Sequence, residues 1–426
     1  MRTLVVVAVV FGTLVSCSVE SPVSGPTWNR DIAPVIMEQC VNCHRPGGIA
    51  PFSLLSYDEV VANQDLIVFS VTNRWMPPWN LDNSGECKSY QQARWLDDEE
   101  IALISGWVAA GSPRGEPATR EWTSPEPDAL DDDAVYLEMA EPYTPTPQPG
   151  FPSDDFRCFF LEPGNARDAY VTGFELFPGA PQEVHHMLLF SLLNSRSEAE
   201  AQALDDEDDV AGWPCFAGAG PGIEERDILL AAVWAPGTNV MRYPAQTGLL
   251  IPGSHRMVMQ VHYDLFAGPV PDLTGIKVAL ADTVEHQAAL VPLSDESFEL
   301  PPREPVVGFN FSHPFAGLSE PLVMYGLFPH MHTLGQTLRV TKRTIDDDGD
   351  GECLGDVQRW DFSWQEIAFY DEPTIINPSE ELDVRCTWDT SDRAATTVWG
   401  EAAEEEMCLV YIYVSRANGG PLSDVL

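Results

Sequence analysis

Val184-His185-His186-Met187-Leu188-Leu189-Phe190-Ser191-Leu192 is a β-type apolar run that follows the turn-forming residues Pro178-Gly179-Ala180-Pro181. Similar runs recur at Tyr170 to Phe177, Met257 to Tyr263, Leu338 to Thr344 and Leu409 to Val414, with Pro and Gly turns between them. The composition agrees: 36 Pro and 31 Gly among 426 residues favour short strands over long helices. From Phe156 onward, about 270 residues of this pattern predict one large or two medium antiparallel sandwiches. No internal repeat stands out. Acidic runs such as Asp205 to Asp209 read as solvated loops.

Upstream of the strands the pattern changes. Residues from about Trp28 to Gly115 look helical; Asp97 and Glu100 form a capping box ahead of Ile101, Ile104, Trp107 and Val108, and Gly111 and Pro113 end that helix. Residues 116–155 are rich in Pro, Asp, Thr and Glu and read as an acidic, Pro-rich linker. At the start, Arg2 precedes an apolar run from Leu4 to Val15, too short for a bilayer core of roughly 30 Å but suited to a secretory signal. Leu14-Val15-Ser16-Cys17 resembles a bacterial lipobox, which would make residues 1–17 a lipoprotein signal peptide and Cys17 a lipid anchor; residues 18–26 are a polar tether. An ordinary signal peptide with an incidental cysteine is the alternative. The expected location is outside the cytoplasm, periplasmic or anchored at the outer membrane of a bacterium.

Sixty-six acidic residues against 23 basic ones give a formal charge of -43. Nucleic-acid binding needs the opposite sign, and anionic lipid surfaces are disfavoured for the same reason. The charge suits neutral or cationic partners.

Cys40-Val41-Asn42-Cys43-His44 has the c-type haem attachment spacing: two thiols three positions apart, then an imidazole that can reach the iron. Met76, in Arg74-Trp75-Met76-Pro77-Pro78-Trp79, is the candidate sixth ligand, a thioether that would raise the reduction potential. Residues 27–115 thus resemble a small class I cytochrome c carrying haem c.

Five other histidines fall in three motifs: His185-His186-Met187, Gln260-Val261-His262-Tyr263 and His330-Met331-His332. On a strand, His330 and His332 point to one face and can chelate one metal. The adjacent His185 and His186 point to opposite faces of a regular strand, so both reach one metal only at a strand end or a bulge. Imidazoles suit copper, zinc, iron or nickel. His255, His286 and His313 lack partner motifs and read as structural.

Taken in order with Glu406-Met407-Cys408, these motifs resemble the copper type II, ascorbate-dependent monooxygenases, the peptidylglycine α-hydroxylating and dopamine β-monooxygenases. The resemblance runs from about Phe156 to Val414. It implies a multidomain chain: the small all-α haem module, then two all-β jelly-roll-like sandwiches, residues 156–290 and 291–426, with one copper each across a cleft. It also implies that His185, His186 and His262 hold an electron-transfer copper, that His330, His332 and Met407 hold the catalytic copper, and that Gln260 and Tyr411 lie at the cleft. A soft thioether favours Cu(I) at the site that meets O2. The implied partners are O2, a small-molecule substrate and an external donor, ascorbate-like or a redox protein, with the tethered haem as relay.

The sequence also departs from the family. Phe328 stands where the amidating branch has a carboxylate-binding Arg, and Leu409 where the family has Asn, so a peptidyl-glycine substrate is not expected. Among the cysteines, Cys386 and Cys408 match a family disulfide, Cys158 and Cys215 are a candidate second bridge, and Cys87 and Cys353 stay unassigned. Asp346-Asp347-Asp348-Gly349-Asp350-Gly351 has part of a calcium-loop pattern, but Val357 stands where a carboxylate is needed, and an acidic hairpin is the preferred reading. The leading function is an exported copper monooxygenase. The alternative is a non-catalytic haem and copper electron-transfer or copper-holding lipoprotein. A zinc hydrolase is weaker, because Met is a poor zinc ligand.

Overall fold

Strand Ala169–Phe177 buries Ala169, Val171 and Gly173 and leaves Tyr170 and Thr172 half-buried, the period-two pattern of a sheet with one packed face. Strand Met257–Asp264 is instead buried along nearly its whole length, because it is the central strand of its sheet. The structure is a computed structural model that describes residues 25–117, 128–148, 153–216, 218–236, 238, 240–266, 268–346, 349–400, 405–420 and 422. The leader 1–17 with Cys17, the tether up to residue 24, residues 118–127 and 149–152 of the acidic stretch, and Asp347 and Asp348 lie outside the described residues.

The chain divides into two compact units, residues 1–72 with 98–124 and residues 73–97 with 125–426. In the first, helices Ala33–Gln39, Tyr57–Ala62, Gln64–Thr72 and Asp98–Ala109 follow a π-helical turn at Trp28–Ile32. Ser56 and Glu59 form a capping box at the start of Tyr57–Ala62. Trp28, Tyr57 and Trp107 pack in an aromatic trio with ring centroids 6.0–6.4 Å apart. The Trp107 indole N–H donates to the Pro113 carbonyl (3.0 Å), and Gly111 turns out of the last helix at φ +83°.

The second unit is built from β-sheets. A five-stranded sheet runs Trp213–Pro214, Asp154–Leu161, Met257–Asp264, Val184–Leu192, Ile228–Trp234. A four-stranded sheet runs Val307–Pro314, Glu380–Trp388, Gly335–Thr344, Glu352–Val357. A nine-stranded sheet joins the two halves, in the order Val135–Glu138, Gly275–Ala281, Ala169–Phe177, Thr247–Ile251, His286–Ser294, Leu409–Arg416, Leu322–His330, Ala368–Ile376, with Met241–Arg242 beside Ala169–Phe177. The junction is the parallel pairing of His286–Ser294 with Thr247–Ile251; the other strand pairs named here are antiparallel. A boundary between residues 290 and 291 therefore falls inside a strand shared by both halves.

Three segments differ from their sequence-based expectations. Residues 73–97 are not helical and group with the sheets: Leu81 bridges to Val357, Tyr90 to Tyr370, and Cys87 is disulfide-bonded to Cys353. The later part of the acidic stretch is docked: Val135–Glu138 adds an edge strand, and the buried Tyr143 hydroxyl donates to Asp155 (2.6 Å). Within the acidic run, Asp205 and Asp206 close helix Ser195–Glu207, and Asp208 pairs with Arg157 (3.0 Å), so the run is not a solvated loop throughout. Cys158–Cys215 and Cys386–Cys408 are both disulfide-bonded. Among the described residues no helix is long and apolar enough to cross a membrane.

Candidate functional site

Strand Val184–Leu192 shifts register against Met257–Asp264 between Val184 and His186, and the bulge turns His185 to the same side as His186. His186 and His262 are register partners. The three imidazoles converge through Nδ1: His185 to His186 is 3.3 Å and His262 to His186 is 3.2 Å. His262 is fixed from behind. Its Nε2 lies 2.8 Å from the Asp154 carboxylate, and its ring stacks on Phe156 at 4.1 Å and 3°. An Nε2–H donated to Asp154 leaves the Nδ1 lone pair facing the cluster, the usual support of a metal-binding histidine. Burial pushes His185 down to about 4 and His186 well below its ordinary value, so both are neutral, the form that ligates.

The second cluster uses the opposite ring nitrogens. His330 ends strand Leu322–His330, and its Nδ1 lies 2.5 Å from the Gln365 side-chain oxygen. The Gln365 amide is itself oriented by donating to the Phe362 carbonyl (2.8 Å). His332 Nδ1 meets the Glu405 carbonyl at 3.0 Å. Nε2 is therefore the ligand atom the geometry assigns on both rings. Burial pushes His330 down to about 3. Register pairing of His330 with Leu409 brings Met407, two residues earlier, alongside, and Met407 is buried.

Glu406 ties this corner together. Its fully buried carboxylate accepts from the backbone N–H of His332 (2.9 Å) and Leu334 (2.6 Å) and from the Trp388 indole (3.0 Å). Burial pushes its carboxyl up to about 7 against the pull of these donors. Gly335 is required here, since a Cβ would stand 2.7 Å from Trp360, whose indole N–H donates to the His332 carbonyl (3.0 Å).

Both clusters and Met407 line one cavity of about 740 Å³. Phe362 stands between them, its ring 5.3 Å from that of His185 and 6.3 Å from that of His332. Phe328 and Tyr411, register partners on adjacent strands, stack at 5.8 Å and form an apolar wall with Leu409. Gln260 also lines the cavity, but its amide donates to the Cys215 (2.8 Å) and Gly218 (2.6 Å) carbonyls, so it braces the adjoining loop. His313, set aside in the sequence as structural, is a further lining residue. Among the described lining residues Arg226 is the single Lys or Arg, and it pairs with Glu224 (2.5 Å).

The donor chemistry fits copper. Three convergent imidazoles and a second set of two imidazoles with a thioether suit that ion, and the thioether disfavours zinc. Asp154, Phe362, Gln365 and the role of Glu406 were not read from the sequence. Asp154 sits in the stretch assigned to the linker, and the loop bearing Phe362 and Gln365 has no motif or periodicity to mark it.

In the helical unit, Cys40 and Cys43 carry no disulfide. His44 Nδ1 lies 3.1 Å from the Phe52 carbonyl, which leaves Nε2 as the ligand atom that suits haem. Burial lowers the His44 pKa, favouring the neutral ring, and pushes the Cys40 thiol up to about 12. Met76 falls in the 73–97 segment of the other unit, with its side chain 40% exposed.

Sequence comparison adds an independent line. Residues 299–418 match the family described as copper type II ascorbate-dependent monooxygenase, C-terminal domain. Human dopamine beta-hydroxylase is 25% identical over 304 residues, covering 68% of this chain and 47% of that protein. Tyramine beta-hydroxylase of Caenorhabditis briggsae is 23% identical, covering 76% and 54%. Peptidyl-glycine alpha-amidating monooxygenase A of Xenopus laevis is 27% identical, covering 62% and 27%. The chain spans about half the length of the first curated relatives it matches. Over the matched residues the chain is thus similar to copper type II monooxygenases.

Proposed function

We propose that this chain is an exported copper monooxygenase that hydroxylates a C–H bond of a small organic substrate with O2, using a covalent haem c as electron relay. The observation that carries the reading is the pair of histidine clusters, one with three convergent Nδ1 atoms and one beside a buried thioether, facing a single cavity. His185, His186 and His262 would hold one copper, and His330, His332 and Met407 the other. Bound copper supplies two one-electron reductions, so that one oxygen atom enters the substrate and the other leaves as water.

The protein's own residues set the conditions for that chemistry. Phe362 keeps the space between the clusters apolar, and Phe328, Leu409 and Tyr411 present an apolar face next to His330. A substrate carboxylate would find no unopposed cation among the described lining residues, which supports an apolar or cationic substrate over peptidyl-glycine. A cavity of about 740 Å³, ample for a small organic molecule, supports an enzyme over a pure electron carrier.

Haem c on Cys40, Cys43 and His44 would deliver one electron at a time from an external donor, ascorbate-like or protein. Three disulfides suit an oxidising compartment, and a lipidated Cys17 would anchor the chain at a membrane surface. The test is copper counting on the full chain. Wild type should hold two coppers and consume O2 with a reductant and substrate, and His330→Ala should hold one and consume none. Two coppers retained in His330→Ala would remove the basis for the reading.

A further inference from the structure

Residues 358–367 connect strand Glu352–Val357 to strand Ala368–Ile376 and contact the histidines of both clusters through three side chains. Trp360 bonds the His332 carbonyl, Phe362 stacks against His185, and Gln365 accepts from His330 Nδ1. This ten-residue connection has a backbone bond to a strand, Trp360 N–H to the Gln336 carbonyl (2.8 Å), and a connection so thinly tied opens readily unless something else packs on it. Here the brace comes from residues 73–97, far away in sequence.

Asn80 closes three hydrogen bonds with this loop. Its side-chain oxygen accepts from the Asp361 N–H (3.0 Å), and its amide donates to the carbonyls of Asp361 (3.2 Å) and Trp364 (2.6 Å). Arg94 forms an ion pair with Glu366, donates to the Pro78 carbonyl (3.2 Å), and lies over the rings of Trp79 (5.7 Å) and Trp364 (6.0 Å). The Asp82 carboxylate accepts from Gln358 (2.9 Å), and the Arg74 carbonyl accepts from Arg359 (3.1 Å). The Cys87–Cys353 disulfide and the Leu81–Val357 and Tyr90–Tyr370 bridges hold this segment against the two strands that flank the loop.

We infer that residues 73–97 form a positioning strap for the second histidine cluster, in which Asn80 and Arg94 hold the loop so that Gln365 orients His330. This rests on reading His330, His332 and Met407 as a copper site. A metal-bound imidazole depends on the partner of its other nitrogen for tautomer and ring angle, and losing such a partner weakens metal binding by roughly 10–100-fold. Gln365 meets His330 Nδ1 at 2.5 Å, and it can orient the ring only while the loop that carries it stays seated. Neither Asn80 nor Arg94 bonds to any of the histidines; both act through the loop.

The test places copper at one cluster at a time in the full chain. In a His185→Ala background copper is held at the second cluster alone, and in a His330→Ala background at the first alone. Asn80→Ala should weaken copper binding at least roughly tenfold and shift the Cu(II) EPR hyperfine splitting in the first background, and do neither in the second. Gln365→Ala should reproduce the effect, and the Asn80→Ala/Gln365→Ala double variant should be no worse than Gln365→Ala alone. Arg94→Gln should also weaken copper, with partial rescue in Arg94→Lys, which keeps the charge opposite Glu366. Equal weakening at both clusters, additive losses in the double variant, or unchanged affinity in Asn80→Ala would overturn the strap. Absence of copper in the His185→Ala protein itself would instead remove the site reading, and the strap's role with it.

Discussion

Replacing Glu406 by Ala deprives three donors of their acceptor: the buried His332 N–H and Trp388 indole, and the half-buried Leu334 N–H. The Met407 N–H, at 3.4 Å, is too long to count. Each of the two buried donors costs about 1–3 kcal/mol when orphaned, so Glu406→Ala should lose about 2–6 kcal/mol before any cavity cost is added. A folded domain's whole stability is only about 5–15 kcal/mol, so the variant should be severely destabilised. At about 2–4 °C per kcal/mol, the melting temperature should fall by at least about 4 °C, read by circular dichroism or calorimetry on the oxidised full chain. Glu406→Gln keeps an acceptor oxygen and should fall between Ala and wild type. A Glu406→Ala protein that melts within roughly 2 °C of wild type would refute the view that this carboxylate clamps the His330–Leu334 turn to the strand bearing Met407.

Two further outcomes follow from the sites. Denatured wild-type protein should retain a covalent c-type haem spectrum, and Cys43→Ser should lose the covalent bands; an unchanged spectrum would end the haem assignment, while Met76→Ala should lower the haem potential if Met76 is the sixth ligand. Phe328→Arg should improve the binding of acidic ligands, read as a lower inhibition constant for small carboxylates, and no change would show that position 328 does not face the substrate.

Local pattern made the strands legible. The run from Val184 to Leu192 was readable to the residue, because nine consecutive β-type positions between turns leave little freedom of assignment. The condition placed on His185 and His186 was also readable: adjacent imidazoles need a bulge, and the register shift at Val184/His186 supplies one. What stayed hidden depends on contacts distant in sequence. Asp154 looked like the tail of an acidic linker because its partner His262 lies 108 residues away. Segment 73–97 looked like part of the helical module because nothing local reveals a disulfide partner 266 residues downstream. Gln365 carries no signal either, since glutamine in a connecting loop is ordinary until the histidine it meets is known. The two sandwiches read as separate blocks because pattern marks strands and not sheet membership, and His286–Ser294 belongs to both halves.

The Cys87–Cys353 tie also bears on assembly and on cutting the chain. During synthesis residues 73–97 emerge long before residues 352–370, to which they dock; at about 5–20 residues per second the wait is roughly 13–55 s. Over that interval Trp79 and Tyr90 lack the surfaces they later pack against, so premature proteolysis or mispairing of Cys87 is a hazard that a delivery chaperone or a thiol oxidoreductase would have to manage. The same tie defeats division at the compositional boundary. A cut near residue 115 carries away Asn80, Arg94 and one half of a cross-link from the sandwiches they brace, so a β-rich fragment made that way starts life with its second histidine cluster unsupported.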